Sequence, residues 1–382
     1  MNENYIVYIC FYLFFLLFAL IDASTVKLNI RERKFFLTVL VGVLGMFAGC
    51  RWFDVSVGGE IFDYAAYKYV YENPLNIGSF WEGFQNSDNY IRSMDPGYVL
   101  LSSLFSYLFS NANIYFLLIS FLTVHLLVKG FQRNRIDQYI FLLIYIYVTR
   151  LYIQYNFIMM RQALAIVIVW WAMPFIFQHR KWKFWGYCLL ASLFHFSALI
   201  AMIMPLFYKV RISRWIGLCV IIFSFCIAVS GFNFFDLFFS QTEIRYLNYL
   251  QDSENRGNLL NYAECLPFIL VTFLYKKKFA KDSRENFFFN MLIFYIFCLG
   301  FTIVASVAMR ITGYFIYPFF FFINWANVYK RNVVYKCGLN YIWILYFLVY
   351  GLRLLGNFKT TSDYPYKMFF FSTSCKTHNR SS

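Results

Sequence analysis

Apolar runs recur along the whole chain, separated by short stretches rich in Lys and Arg. They fall at 5–21, 35–50, 112–128, 138–155, 161–178, 214–231, 262–276, 287–305, 311–328 and 339–355. Runs of this length, without the two-residue alternation of barrel strands, predict membrane-crossing helices and not a β-barrel. The first is followed by charge instead of a small-residue cleavage site, so it reads as a span and not a signal peptide. Two apolar segments fit less simply. As a helix, 97–109 reaches only about 20 Å, short of the roughly 30 Å hydrocarbon core. Segment 184–208 could cross once, but the KWK before it and the KVRISR after it would then lie on opposite sides.

Charge decides between these alternatives. Most of the 34 Lys and Arg residues lie in six short clusters between apolar runs: Lys27 to Lys34, Lys129 to Arg135, Arg180 to Lys183, Lys209 to Arg214, Lys276 to Arg284 and Lys330 to Lys336. Short basic loops mark the cytoplasmic side. With all six on one side, 97–109 is re-entrant or interfacial, and 184–208 enters and returns as a hairpin bent near His195. Two short full spans at each place are the alternative, so the expected count is 10–13 membrane segments. Irregular backbone at membrane depth is tolerated where it lines a cavity, and two broken hairpins therefore point to one. The expected organisation is one integral membrane domain over 1–366, with outer loops 51–96 and 232–261, and a short tail at 367–382. In the first outer loop acidic residues outnumber basic ones.

Composition supports the class and narrows the function. The chain is 61% hydrophobic and 14% charged, against about 25% charged in soluble domains. Its net charge of +15 is spread over membrane-flanking loops, which argues against nucleic acid as a partner and for contact with membrane lipids. Nine cysteines stand singly, most within apolar runs, so neither a disulfide framework nor a metal site is expected. No Walker loop, GxSxG, HExxH or DxD stands out.

The topology puts Arg51, Arg150, Arg161, Arg310 and Arg353 at outer ends of spans, where positive charge is ordinarily scarce. Any one of them could snorkel to the headgroups. A cavity for an anionic group explains the set directly, because guanidinium pairs bidentately with phosphate and stays charged. His195 lies at the bend of the proposed hairpin, where it could act as general base or phosphate ligand. The first outer loop opens RWFDVSVGGEIFDYAAY, with Gly58-Gly59 suited to a tight turn and Glu60, Asp63, Tyr64 and Tyr67 spaced for one helical face. In DPGY at 95–98, Asp95 reads as a helix cap and Pro96 as the first helical position.

Taken in order, these elements resemble the EpsG family of exopolysaccharide biosynthesis membrane proteins, within the wider Wzy-like group of O-antigen and capsule repeat-unit polymerases. The matching elements are Arg51 with Val57, Gly58, Glu60 and Tyr64; Asp95 to Tyr98; Arg161, Gln162 and Ala165; Phe194, His195, Ser197 and Ala198; Arg310 and Tyr314; and Tyr364 to Tyr366. Two positions depart from the family pattern: Glu60 stands where Asp is usual, and Asp95 where Glu is usual. Each keeps its charge but changes reach by one methylene, which adds weight to a binding or structural role for both.

The resemblance implies an all-α, GT-C-like bundle and a metal-independent membrane glycosyltransferase without cofactors. Its implied reaction joins undecaprenyl-pyrophosphate-linked oligosaccharide units at the outer face of the bacterial inner membrane. A flippase and a chain-length regulator usually accompany the family. On this reading Arg161 and Arg310 hold pyrophosphate, with Arg51 and Arg150 as further candidates. His195 is base or phosphate ligand, and Glu60 is the alternative base or a sugar contact. Asp95 and Gln162 are substrate contacts, and Tyr64, Tyr67, Trp81, Tyr98 and Tyr314 could stack on sugar rings or form an interfacial belt. The competing readings are a flippase or transporter of the lipid-linked glycan, which calls for repeated halves and mid-span charges, an acyltransferase, and a glycan ligase with nearly the same cavity chemistry.

Overall fold

The computed structural model describes residues 3–24, 26, 28–52, 63–230, 259–280, 283–303, 307–329, 333–359 and 367–368. Helices carry nearly all of them. Helix α1 (Glu3–Ala23) leads to α2 (Ile30–Gly49). The start of α2 is set by a reciprocal cap: Glu32 N donates to Asn29 Oδ1 at 2.9 Å, and Asn29 N donates to the Glu32 carboxylate at 2.8 Å. After α2, the two-residue strand β1 (Arg51–Trp52) pairs antiparallel with β2 (Lys367–Met368), Arg51 opposite Met368. The segment expected as the first outer loop contains α3 (Asp63–Glu72), α4 (Phe80–Asn86) and α5 (Asn89–Arg92). Helix α6 (Pro96–Leu108) and α7 (Ala112–Arg133) follow.

Helix α8 (Ile140–Tyr147) runs on as a π-helix over Val148–Ile158, and the chain then turns into α9 (Met160–Ala172) and α10 (Pro174–Phe177). Next come α11 (Lys181–Ser192), a 3-10 stretch over Phe196–Ile203, α12 (Met204–Lys209) and α13 (Arg214–Ser230). The remaining helices are α14 (Leu260–Tyr275), α15 (Arg284–Thr302), α16 (Val307–Phe315), α17 (Pro318–Tyr329) and α18 (Val333–Lys359).

Among the described residues, six stretches are long and apolar enough to cross a membrane: Ile6–Ala23, Ala112–Arg133, Asp137–Ile158, Met160–Phe177, Arg284–Thr302 and Tyr335–Gly356. The protein is an all-α, multi-pass membrane protein. Helices also form at the expected spans 35–50, 214–231 and 262–276, but they are shorter or carry charge in the first turn. The run at 311–328 is divided, because α16 ends at Phe315 and α17 opens at Pro318, which has no N–H to continue the ladder. The segment at 97–109 is a 13-residue helix. The segment at 184–208 does fold back on itself: α11 stops at Ser192, and the Trp185 indole N–H donates to the Met202 carbonyl at 3.0 Å across the hairpin.

Contacts divide the chain into two compact units. The first comprises Met1–Val167, Leu193–His195 and Lys330–Ser382; the second comprises Ile168–Ser192 and Phe196–Tyr329. In the first, Gly45 and Gly49 give α2 a small-residue face. A Cβ at Gly49 would lie 2.5 Å from the Leu117 Cα, and one at Gly45 2.5 Å from the Phe121 ring, so the backbones of α2 and α7 approach as only glycine allows. Asp22, at the end of α1, accepts the N–H groups of Phe141 and Leu142 at 2.8 and 3.1 Å and so satisfies the start of α8.

In the second unit, α13 and α15 meet at Ser224 and Gly300, where the Ser224 hydroxyl donates to the Ile296 carbonyl at 2.6 Å. Stacked pairs Phe268–Phe319 and Phe288–Phe321, with centroids 4.0 and 4.1 Å apart, fill its interior.

Candidate functional site

Asp95 occupies the cap position of α6, but its side chain makes no cap hydrogen bond. It accepts instead from Arg161 Nη1 at 2.7 Å. Arg161 stands in the first turn of α9, directly after the Met159 break, and is 9% exposed. Its guanidinium carbon lies 5.3 Å from the Tyr67 ring centroid and 5.7 Å from that of Tyr98. Both tyrosines are buried, with centroids 5.3 Å apart. An enclosed guanidinium against a carboxylate and aromatic ring faces is stabilised in its charged form.

The same DPGY turn holds the hairpin tip. The Gly97 and Tyr98 N–H groups, two of the orphan donors at the start of α6, both reach the Leu193 carbonyl, at 2.9 and 3.2 Å. A Cβ at Gly97 would stand 2.5 Å from the Leu193 Cβ and 2.8 Å from its carbonyl oxygen, so only glycine permits this approach. His195, half-buried, lies two residues beyond that carbonyl, in the break between α11 and the 3-10 stretch. One four-residue turn therefore joins the Arg161 cation to the segment that carries His195. Gln162, next to Arg161, is buried.

Two further arginines of the first unit lie elsewhere in it. Arg51 is 4% exposed, with its guanidinium 4.9 Å from the Phe157 centroid and Nη1 donating to the Asn156 carbonyl at 3.2 Å. Arg150 sits in the π-helix, 5.1 Å from the Tyr350 ring, which Arg353 also approaches at 5.6 Å. In the second unit, the Tyr314 hydroxyl is 3.0 Å from Ser197 Oγ, and the Tyr314 carbonyl accepts from the Trp170 indole at 3.0 Å. Arg310 is half-buried one turn earlier on α16, on the same side of the helix as Tyr314.

The sequence pattern that defines the EpsG family matches residues 34–368, nearly the whole chain. The chain belongs to the EpsG family. It is accordingly a membrane protein of polysaccharide biosynthesis. No curated protein and no solved structure matches it significantly.

For this EpsG-family chain, the elements noted in the sequence are thus joined in two sets. Asp95, Tyr98, Arg161 and the His195 segment belong to one unit, and Ser197, Arg310 and Tyr314 to the other. Glu60 and the Tyr364–Tyr366 element lie outside the described residues, as does the side chain of Tyr64 on α3. Trp81 is exposed on α4, beside Phe80 and Phe84. Sequence reasoning passed over Tyr67 as a wall of the Arg161 site and Ser197 as the partner of Tyr314. It also passed over Glu264, a buried acid inside the apolar helix α14. The signal for Glu264 was legible, since a carboxylate within an apolar run of a membrane protein is a functional candidate in itself.

Proposed function

We propose that this protein is a repeat-unit polymerase that joins undecaprenyl-pyrophosphate-linked oligosaccharides by glycosyl transfer at the outer face of the inner membrane, without a metal ion. The observation that carries the reading is the turn Asp95–Tyr98, which ties a caged arginine to the hairpin tip bearing the histidine. An acceptor sugar hydroxyl attacks the anomeric carbon of the donor unit. The bond from that carbon to the pyrophosphate oxygen breaks, and the lipid pyrophosphate leaves with the electron pair. Negative charge develops on the leaving phosphate, where Arg161 supplies a fixed, enclosed cation. His195 takes the proton of the attacking hydroxyl.

Within the second unit, Arg310 is assigned the same phosphate chemistry, with Tyr314 beside it held by Ser197. Arg51 and Arg150 are further phosphate candidates. Gln162, Asp95, Tyr64 and Tyr98 are assigned to substrate contacts, and Glu60 is the alternative base. A flippase delivers the lipid-linked units, and a chain-length regulator acts on the product.

Deletion of the gene in its host tests the reaction class. Surface glycan reduced to single repeat units, with lipid-linked units facing outward, is the expected result. Lipid-linked units trapped on the cytoplasmic leaflet would instead assign the protein to transport. Full-length polymer left on its lipid carrier would assign it to ligation.

A further inference from the structure

A further buried cation lies in the second unit, at the end of α14, a helix that carries no residue assigned to glycosyl transfer. Lys276 opens the 3-10 turn Lys276–Lys278 that follows α14, and it is 6% exposed. Its ammonium donates to Asn286 Oδ1 at 2.6 Å and stands 4.1 Å from the Phe289 centroid and 5.8 Å from that of Phe279. Among the described residues, no carboxylate lies against it.

Asn286 is fully buried and held in place. Its backbone N–H is capped by Ser283 Oγ at 3.1 Å, and its side-chain amide donates to the Val210 carbonyl at 2.8 Å. Asn290 donates to the same carbonyl at 2.7 Å. The two asparagines therefore fasten the loop before α13 to the start of α15. This places the residue preceding Arg211 one amide away from the Lys276 ammonium.

Two like charges are thus brought together by a fixed, buried scaffold. Burial first, and the Arg211 guanidinium second, pushes the Lys276 pKa down to about 8. An amide and ring faces soften the charge of a buried ammonium without neutralising it. Where the first unit buries Arg161, it supplies a carboxylate. At Lys276 an anion from outside the chain would complete the centre.

The surroundings indicate which kind. Lys277 and Arg211 are exposed, and the adjoining turns of α13 and α14 turn Trp215, Ile216 and Leu274 outward. Cations beside exposed apolar side chains at the ends of apolar helices match the headgroup and upper acyl chain of a phospholipid.

We propose that Lys276 and Arg211 form a binding site for a phosphate group, supplied by the headgroup of an anionic phospholipid. This site is independent of the glycosyl-transfer reading.

The test uses the full chain in phosphatidylcholine nanodiscs, titrated with tail-labelled phosphatidylglycerol. Binding should be saturable, and Lys276→Gln and Arg211→Gln should each weaken it about fivefold, as expected for one cation at a lipid phosphate. Gln at 276 retains a donor to Asn286, and Arg211 is exposed, so the second variant reports on the site even if the first folds poorly. Inorganic phosphate is the control for source. If it displaces the labelled lipid, and protects wild type but not Lys276→Gln against thermal unfolding in phosphatidylcholine, the site takes phosphate without requiring a lipid. Equal binding of phosphatidylglycerol by wild type and both variants, with no protection by inorganic phosphate, would overturn the proposal.

Discussion

Arg161 is held by Asp95 in the fold and assigned to phosphate in the proposed reaction, and the two roles can be separated by mutation. Removing either partner alone breaks a nearly enclosed ion pair, a loss of up to about 3–5 kcal/mol for a fully buried one. Arg161→Ala should therefore abolish chain extension and also lower the melting temperature, and alone it does not discriminate. The double variant Asp95→Ala/Arg161→Ala removes both charges of the pair and should recover part of that stability. With a phosphate role for Arg161, glycan from the double variant stays at single units; recovery of full polymer would reduce the pair to a structural tie. Arg161→Lys keeps the charge but loses the planar fork, and it should be impaired in chain length while remaining folded. The arginine itself was conspicuous as a cation at the edge of an apolar run. Its carboxylate was not, because the two residues are 66 positions apart and nothing local to either specifies the other.

At the scale of elements, the period of the apolar pattern made most helices legible, since burial in a bilayer demands continuous apolar length and leaves few alternatives. Loop charge anticipated the fold-back at 184–208, and the DPGY signature anticipated a helix opening at Pro96. The division between Phe315 and Pro318 was missed, although the proline was in view, because the run is apolar on both sides of it. The docking of α6 on the hairpin tip was not readable at all, and it yields a test. Gly97→Ala puts a methyl group against the Leu193 carbonyl carbon and oxygen, which side-chain rotation cannot relieve. The expected loss is about 1–3 kcal/mol in thermal stability, as for other overpacked contacts, together with reduced chain extension. Wild-type stability and full polymer from this variant would show that the docked turn is dispensable.

For the whole molecule, the basic loops predict which ends of the helices face the cytoplasm. With the native cysteines replaced, a thiol introduced at exposed Trp81 should label with an impermeant reagent in intact cells, and one at exposed Lys277 only after permeabilisation. Labelling of both from one side would reverse or break the topology and move the candidate site to the other leaflet. Membrane class, helix positions and the family are properties of the sequence by itself, because hydrophobic length, loop charge and ordered short motifs are local and survive without coordinates. Which distant residues share an environment is decided by tertiary structure alone. The Asp95–Arg161 pair, the Leu193 carbonyl under α6, the Ser197–Tyr314 contact and the Lys276–Asn286–Val210 chain each join segments far apart in sequence. Such contacts depend on where helices cross and how closely their backbones approach. Those distances are set by packing, in which a single glycine or hydroxyl decides the geometry.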